Sequence, residues 1–215
     1  MSRSLGQSHR WVEAGTELCR QTIAGLDEAS YGTPSQLDGW TRKHLVAHLA
    51  ANAEAIGRLV SWACTGEEQR MYTSPEQRNA DIEAGAKLSG EQLTSWFERS
   101  AQRLAMATEA LPDEAWQAGV VTARGRTVAA AETLWMRSRE VMVHAVDLAT
   151  GLTFADLPED FLAELRQDIT SKRGAENVPA VRGSDADVTA YLAGRTCSGV
   201  TTPDGAPAPE LPSWL

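Results

Sequence analysis

The stretch of sequence that decides the fold runs from residue 132 to residue 148 and reads Glu132-Thr-Leu-Trp-Met-Arg-Ser-Arg-Glu-Val-Met-Val-His-Ala-Val-Asp-Leu148. It contains neither Gly nor Pro and therefore predicts a helix. At about 100° per residue, His144 lies roughly 40° around the helix axis from Glu140, and Asp147 lies about 20° from Glu140. These side chains share one face, which borders an apolar stripe, so they are expected to point toward an interior. A divalent metal ion is one partner that would satisfy a buried carboxylate and imidazole.

A second segment offers another histidine for the same interior. Residues 39–49 read Gly39-Trp-Thr-Arg-Lys-His-Leu-Val-Ala-His-Leu49, in which Thr41 is placed to cap a helix. His48 lies beside the apolar stripe of that helix, so it could meet Glu140 and His144 across a bundle. Two histidines and one carboxylate leave open positions on the metal, as a catalytic zinc site requires. The same donor set also suits iron, nickel or cobalt, and a Glu–His pair alone also occurs as a simple hydrogen bond.

Composition narrows the possible functions. The chain has 215 residues, 42% of them hydrophobic, with seven Trp, which is enough for a sizeable core. Its formal net charge of −9 argues against binding to nucleic acid or to an anionic membrane. No apolar run approaches the roughly 20 residues of a membrane span, and the N-terminus lacks the apolar core of a signal peptide. The chain has three widely spaced cysteines, Cys19, Cys64 and Cys197, which is typical of a protein in the reducing cytoplasm.

The periodicity of apolar residues predicts a mainly α protein. Long helices are expected over 6–30, 41–65, 89–110 and 127–149, with a short helical stretch near 75–86 and an extended excursion over 120–126. Ser89 and Gln92 have the spacing of a capping box, and Gly151 stands where a left-handed cap would end the fourth helix. Four long helices with inward polar groups describe a four-helix bundle with a metal site in its core.

The remaining sequence predicts a smaller C-terminal part. Helices are expected over 157–172 and 187–195, followed by an irregular Pro- and Gly-rich tail over 196–215. The chain is therefore interpreted as a metal-binding bundle domain, residues 1–152, and a small α/β segment, residues 153–215.

Six stretches of the chain carry a resemblance to a known family. They are Gly39 to His48, Thr65 to Asn79, Gly125-Arg-Thr-Val128, Glu132 to Leu148, Ala193-Gly-Arg195 and the closing Pro212-Ser-Trp-Leu215. The chain resembles the mycothiol-dependent maleylpyruvate isomerases, which belong to the DinB-like metalloenzyme superfamily and occur in actinobacteria. The resemblance implies a DinB-like four-helix bundle followed by a C-terminal α/β domain. That domain is expected to be shortened here to a helix and a hairpin, because few β-rich runs remain.

The resemblance also implies roles for individual residues. Zinc would be held by His48, Glu140 and His144, and Asp147 would orient a ligating histidine. Arg195 would bind the anionic substrate and take part in catalysis, and Arg78 would bind substrate as well, because a guanidinium grips a carboxylate with two parallel hydrogen bonds. The remaining candidates on these two helices, His44, Arg137 and Arg139, are interpreted as structural, with the arginines on the bundle surface.

The reaction implied by the resemblance converts maleylpyruvate to fumarylpyruvate in gentisate breakdown, with mycothiol as the thiol cofactor. A zinc-bound thiol loses its proton, and its thiolate adds reversibly to the cis double bond. Two alternatives stay open: a mycothiol S-transferase that acts on another electrophile, and a non-catalytic metal-binding bundle. The expected partners are a small anionic substrate and mycothiol, without nucleic acid or membrane, for a cytoplasmic monomer or small homo-oligomer.

Overall fold

A computed structural model describes residues 3–214, so Leu215, the last residue of the closing motif, lies outside the described residues, as do the first two. The helices are α1 (Leu5–Ala24), α2 (Glu28–Tyr31), α3 (Arg42–Thr65), α4 (Pro75–Gly85), α5 (Gly90–Glu109), α6 (Glu132–Asp147), α7 (Glu159–Arg173) and α8 (Asp185–Leu192). The strands are β1 (Gly119–Val121) and β2 (Thr127–Ala129). The predicted mainly α class is confirmed. None of the described helices is both long and apolar enough to cross a membrane.

Four long helices, α1, α3, α5 and α6, form a bundle within the first of two compact units, which ends at Thr150. Helix α3 packs on α5 and on α6, and α1 packs on α6. The interior is apolar because each helix contributes a stripe of buried side chains at helical spacing. These include Trp11 and Ile23 of α1, Leu45, Leu49, Ile56 and Leu59 of α3, Leu93 and Phe97 of α5, and Leu134 and Val141 of α6.

Helices α1 and α6 approach each other closely at Gly15. A Cβ atom placed on Gly15 would lie 2.5 Å from Cγ2 of Val141 and 3.1 Å from the backbone nitrogen of Met142. Carbon atoms pack at about 3.5–4.0 Å, so only glycine fits at this position without moving a helix. The contact fixes α1 directly against the turn of α6 that carries the polar residues singled out from the sequence.

The predicted first helix, 6–30, is divided in the structure. Helix α1 ends at Ala24 and is followed by Gly25, and a separate short helix begins after Asp27. The carboxylate of Asp27 accepts a hydrogen bond from the backbone nitrogen of Ser30 at 2.8 Å, which caps α2. The prediction of one continuous helix is wrong because this local cap starts a new helix.

The predicted fourth helix begins later than expected, since residues 127–129 belong to strand β2. This strand pairs antiparallel with β1, with Val120 opposite Val128. β-branched residues favour such cross-strand positions over a helix start. The extended excursion predicted for 120–126 is therefore the first half of a hairpin.

The end of α6 also differs from the prediction of a left-handed cap at Gly151. The helix ends at Asp147, and the first residue with positive φ is Ala149, at 56°, although Gly151 has φ 106°. The guanidinium of Arg42 donates from Nε to the carbonyl of Leu148 and from Nη2 to the carbonyl of Ala149, each at 2.6 Å. A side chain from α3 thus satisfies the carbonyls of the two residues that follow the helix.

The second unit begins at Gly151 and contains α7 and α8. Its core includes Phe161, Leu165 and Ile169 of α7 and Leu192 of α8. Within residues 151–214, extended pairing is limited to two isolated bridges, Arg182 with Thr201 and Thr201 with Pro207. The unit accordingly consists of helices and an irregular hairpin.

Candidate metal centre

His48, Glu140 and His144 meet in the interior of the bundle. One possible ligand atom from each residue lies within 4.8 Å of the other two. Nε2 of His48 is 2.8 Å from Oε2 of Glu140, and Nε2 of His144 is 3.3 Å from the same oxygen. The structure therefore brings together the three residues that spacing had selected.

Local helix geometry explains this arrangement. Glu140 and His144 stand four residues apart on α6, so their side chains are neighbours on one face. His48 lies on α3 among residues that are buried against α6. Both histidines are buried, whereas the side chain of Glu140 is 19% exposed. Glu140 is therefore the member of the cluster that is partly exposed.

Asp147 supports His144 from behind. Its Oδ2 atom lies 2.8 Å from Nδ1 of His144, and the side chain is 0% exposed. A carboxylate in this position fixes the orientation of the His144 ring, so that Nε2 is directed at Glu140. Asp147 stands in the place predicted for a group that orients a ligand.

The charges of the cluster are strongly coupled. Burial lowers the pKa of His48, although its hydrogen bond to Glu140 acts in the opposite direction. Burial also lowers the pKa of His144, but hydrogen bonds to Asp147 and Glu140 outweigh it and raise that pKa to about 9. Burial raises the pKa of Glu140, yet hydrogen bonds to the two histidines bring it well below its usual value. An ionised carboxylate between two imidazoles is a donor set that suits a divalent transition metal.

Arg78 lies in the first half of α4, and its side chain reaches the same cluster. Its Nη2 atom lies 3.2 Å from Nδ1 of His48, and its Cζ atom lies 5.9 Å from the centre of the Tyr72 ring. A cation stands therefore directly beside one of the two histidines. Tyr72 was not selected from the sequence, because nothing in its loop predicts which side chain it contacts.

Two aromatic rings lie at the start of α3, that of Trp40 just before the N-cap and that of His44 in the first turn. The ring of Trp40 lies 5.5 Å from that of His48 and stacks on His44 at 6.4 Å. Nδ1 of His44 accepts a hydrogen bond from the backbone nitrogen of Thr41 at 3.2 Å, so His44 helps to cap the helix. Trp40 was missed in the sequence because its position before the helix cap gives no sign of its orientation.

Arg137 differs from the expectation that it lies on the bundle surface. Its side chain is only 1% exposed, and Nη1 donates to the carbonyl of Leu49 at 2.8 Å and to Oδ1 of Asn52 at 2.9 Å. Burial lowers the pKa of this guanidinium to about 10. Arg137 precedes Glu140 by about one turn and Asn52 follows His48 by one turn, so the pair forms a polar layer next to the cluster.

Arg195 belongs to the second unit. It is buried, and its Nη1 atom donates to the carbonyl of Ala193 at 3.1 Å and to Oγ of Ser213 at 2.5 Å. The two contacts lie within that unit. Its assignment to the substrate stays a prediction from the sequence.

Known proteins with the same features provide an independent comparison. The family model described as the mycothiol maleylpyruvate isomerase N-terminal domain matches residues 12–149. Two crystal structures, of the mycothiol-dependent maleylpyruvate isomerase and of its mutant with one histidine changed to alanine, are each 40% identical to the chain. Each alignment covers 99% of this chain and 98% of the other, with a TM-score of 0.92.

A more distant structure is similar in fold alone. It is YfiT from Bacillus subtilis, described as a probable metal-dependent hydrolase with an unusual four-helix bundle topology. It is 17% identical, with a TM-score of 0.56 over 69% of this chain and 89% of that chain. A comparison with curated proteins finds no match. Because the family model spans more than half of the sequence and the two crystal structures align over nearly all of it, the chain belongs to the mycothiol maleylpyruvate isomerase family.

Proposed function

We propose that this protein is a zinc- and mycothiol-dependent isomerase that converts maleylpyruvate to fumarylpyruvate. The observation that carries the proposal is the buried cluster of His48, Glu140 and His144, in which Glu140 is partly exposed, in a chain that belongs to this family. Three protein ligands leave at least one position for a thiol or substrate.

His48, Glu140 and His144 would hold the metal ion, and Asp147 would keep His144 in the orientation required. When bound, the ion supplies a positive charge that lowers the pKa of a coordinated thiol and favours its thiolate. No cysteine or serine of the chain has to act as nucleophile. This agrees with the burial of Cys19, whose thiol pKa is raised to about 12 by that burial.

The isomerisation needs only reversible addition of the thiolate. A C–S bond forms at one alkene carbon, and the π electrons move toward the conjugated carbonyl oxygen to give an enolate. Rotation about the resulting single bond and expulsion of the thiolate restore the double bond in the trans form. The thiol is regenerated, so mycothiol is not consumed.

The arginines would act on the substrate's charges. Arg78 already lies beside the cluster, where a guanidinium can bind a carboxylate with two hydrogen bonds. When Nε2 of His48 is a ligand, its Nδ1 carries the proton and no longer accepts a hydrogen bond, so Arg78 becomes available to the substrate. Arg195 is assigned, from the resemblance, to binding the substrate anion and stabilising the enolate.

The test is isomerisation of maleylpyruvate by the zinc-loaded protein with mycothiol and without it, while total free thiol is measured. Fumarylpyruvate should form only with mycothiol and without loss of thiol. Consumption of thiol into an adduct would instead establish an S-transferase. Absence of both reactions from a protein that still binds zinc would indicate a non-catalytic bundle.

Two histidines of α3 provide a matched pair of variants. His48→Ala should lose most bound zinc, measured by atomic absorption, and most activity, because one of three ligands is missing. His44→Ala removes the same side chain one turn earlier, outside the cluster, and should retain both. Full zinc content and turnover in His48→Ala would show that the ligands are assigned wrongly.

A further inference from the structure

A cavity of about 870 Å³ lies between α3, α4 and α5 in the first unit. Its walls include Glu54 and Arg58 of α3, Tyr72 of the following loop, Asp81 of α4, and Trp96 and Arg99 of α5. This volume falls within the range of about 300–1,000 Å³ typical of small-molecule sites. None of the three candidate ligands, His48, Glu140 and His144, lines this cavity, so the cavity is a feature separate from the cluster.

The indole of Trp96 is held in a fixed position on the cavity wall. Its Nε1 atom donates to Oε1 of Glu54 at 2.8 Å. A Cβ placed on Gly85 would lie 2.9 Å from Cζ3 of Trp96, so the ring edge packs directly against the backbone of α4. A partly buried aromatic ring, oriented in advance, is a suitable surface for the C–H face of a sugar.

The charges of the walls favour a neutral ligand rich in hydroxyl groups. Three carboxylates, from Glu54, Asp81 and Glu91, face two guanidinium groups, from Arg58 and Arg99. Arg58 is also bound to the carbonyl of Met71, through Nε at 3.1 Å and Nη2 at 2.6 Å. This mixture offers acceptors and donors to hydroxyl groups, but its slight excess of negative charge opposes a dicarboxylate such as maleylpyruvate.

A short series of contacts connects the cavity to the metal centre. Tyr72 lines the cavity, Arg78 lies over its ring at 5.9 Å, and the same guanidinium is 3.2 Å from Nδ1 of His48. Burial and the nearby charge of Glu140 both raise the pKa of Tyr72, which places this phenol within electrostatic reach of the cluster. A ligand with its sulfur at the cluster therefore has the cavity next to it.

Mycothiol is N-acetylcysteine joined by an amide to glucosamine, which is in turn linked to inositol. We propose that the cavity between α3, α4 and α5 binds this glucosamine–inositol part, with the indole of Trp96 under one of its rings. The inference rests on the proposed function, since that function brings the thiol to the metal. The glucosamine–inositol part carries no net charge once its nitrogen is acylated, which agrees with the mixed charges of the cavity walls.

The direct test uses N-acetylglucosaminyl-inositol, which lacks the cysteine and cannot react. Calorimetry should show that it binds the zinc-loaded protein and that Trp96→Ala weakens its affinity by about ten-fold or more. Trp96→Phe keeps an aromatic face and should lose less. Gln102→Ala changes an exposed residue of the same helix outside this cavity and should bind like the unchanged protein.

A second measurement separates this site from the reaction. Trp96→Ala should raise the KM for mycothiol while leaving the KM for N-acetylcysteine, which has no sugar, unchanged. Equal effects on both thiols, or fragment binding that is insensitive to Trp96, would overturn the proposal. If Trp96→Ala does not fold, Trp96→Phe and Arg99→Ala answer the same question.

The two proposals can fail separately. Fragment binding without isomerisation would reject the proposed function alone. Isomerisation without fragment binding would reject only the proposal that the cavity binds the sugar part of mycothiol.

Discussion

Replacing Gly15 by alanine tests the packing that positions α6, the helix that carries two of the three candidate metal ligands. The added Cβ would lie 2.5 Å from Cγ2 of Val141, 3.0 Å from Cγ of Met142 and 3.1 Å from the backbone nitrogen of Met142. The side chains of Val141 and Met142 can shift, but the backbone nitrogen cannot move without α6. Helices α1 and α6 must therefore separate by roughly a few tenths of an ångström for this nitrogen to reach ordinary contact distance.

The size of the effect follows from two opposing contributions. Overpacking of a buried contact costs about 1–3 kcal/mol, whereas alanine is better than glycine in a helix by about 0.5–1 kcal/mol. The free energy of unfolding should therefore fall by about 1 kcal/mol, within a range of about 0–2.5 kcal/mol. Because Val141 and Met142 lie between Glu140 and His144, the same displacement should weaken metal binding.

Gly57 supplies a matched control within α3. A Cβ on Gly57 meets nothing within 4 Å, so Gly57→Ala should raise the free energy of unfolding by about 0.5–1 kcal/mol through helix propensity alone. Urea unfolding of both variants, followed by circular dichroism of the helices in metal-free buffer, gives the comparison. If Gly15→Ala proves as stable as Gly57→Ala, the close approach of α1 to α6 does not constrain the bundle.

Two further predictions concern buried polar groups. Asp147→Asn should lower zinc affinity by about 10–100-fold, measured by competition with a chelator, because the hydrogen bond that orients His144 is weakened while the fold is kept. Unchanged affinity would show that Asp147 does not act through His144. Cys19, with its thiol pKa raised to about 12 by burial, should resist iodoacetamide at pH 8 until the protein is unfolded in urea. The exposed Cys64 should react in the native protein, and equal labelling of both residues, mapped by mass spectrometry, would contradict the buried position of Cys19.

The metal cluster could be predicted from the sequence because its geometry is mostly local. The four-residue spacing of Glu140 and His144 places both on one face of a helix, and the apolar neighbours of His48 predict which way that histidine points. Helix caps at Thr41 and Ser89 were predictable for the same reason, and both are present. Each of these features depends on residues only a few positions apart.

Features that depend on distant pairs could not be predicted in this way. The burial of Arg137 depends on Asn52 and on how α3 is rotated relative to α6, which periodicity does not specify. Likewise, Val128 has a partner in Val120, so a segment that continues a helical pattern becomes a strand. The early end of α6 depends on Arg42, whose contacts lie more than a hundred residues away along the chain.

Arg42 also has a consequence for how long the cluster of candidate metal ligands stays assembled. Helix ends fray, and His144 belongs to the last turn of α6, where a ligand would normally be least ordered. By holding the carbonyls of Leu148 and Ala149, Arg42 closes that turn from outside, and the backbone nitrogen of Gln36 binds the carbonyl of Asp147 at 2.8 Å. Amide hydrogens in the last turn of α6 should therefore exchange with solvent as slowly as those in its middle, so helix fraying would not limit the lifetime of an ion held there.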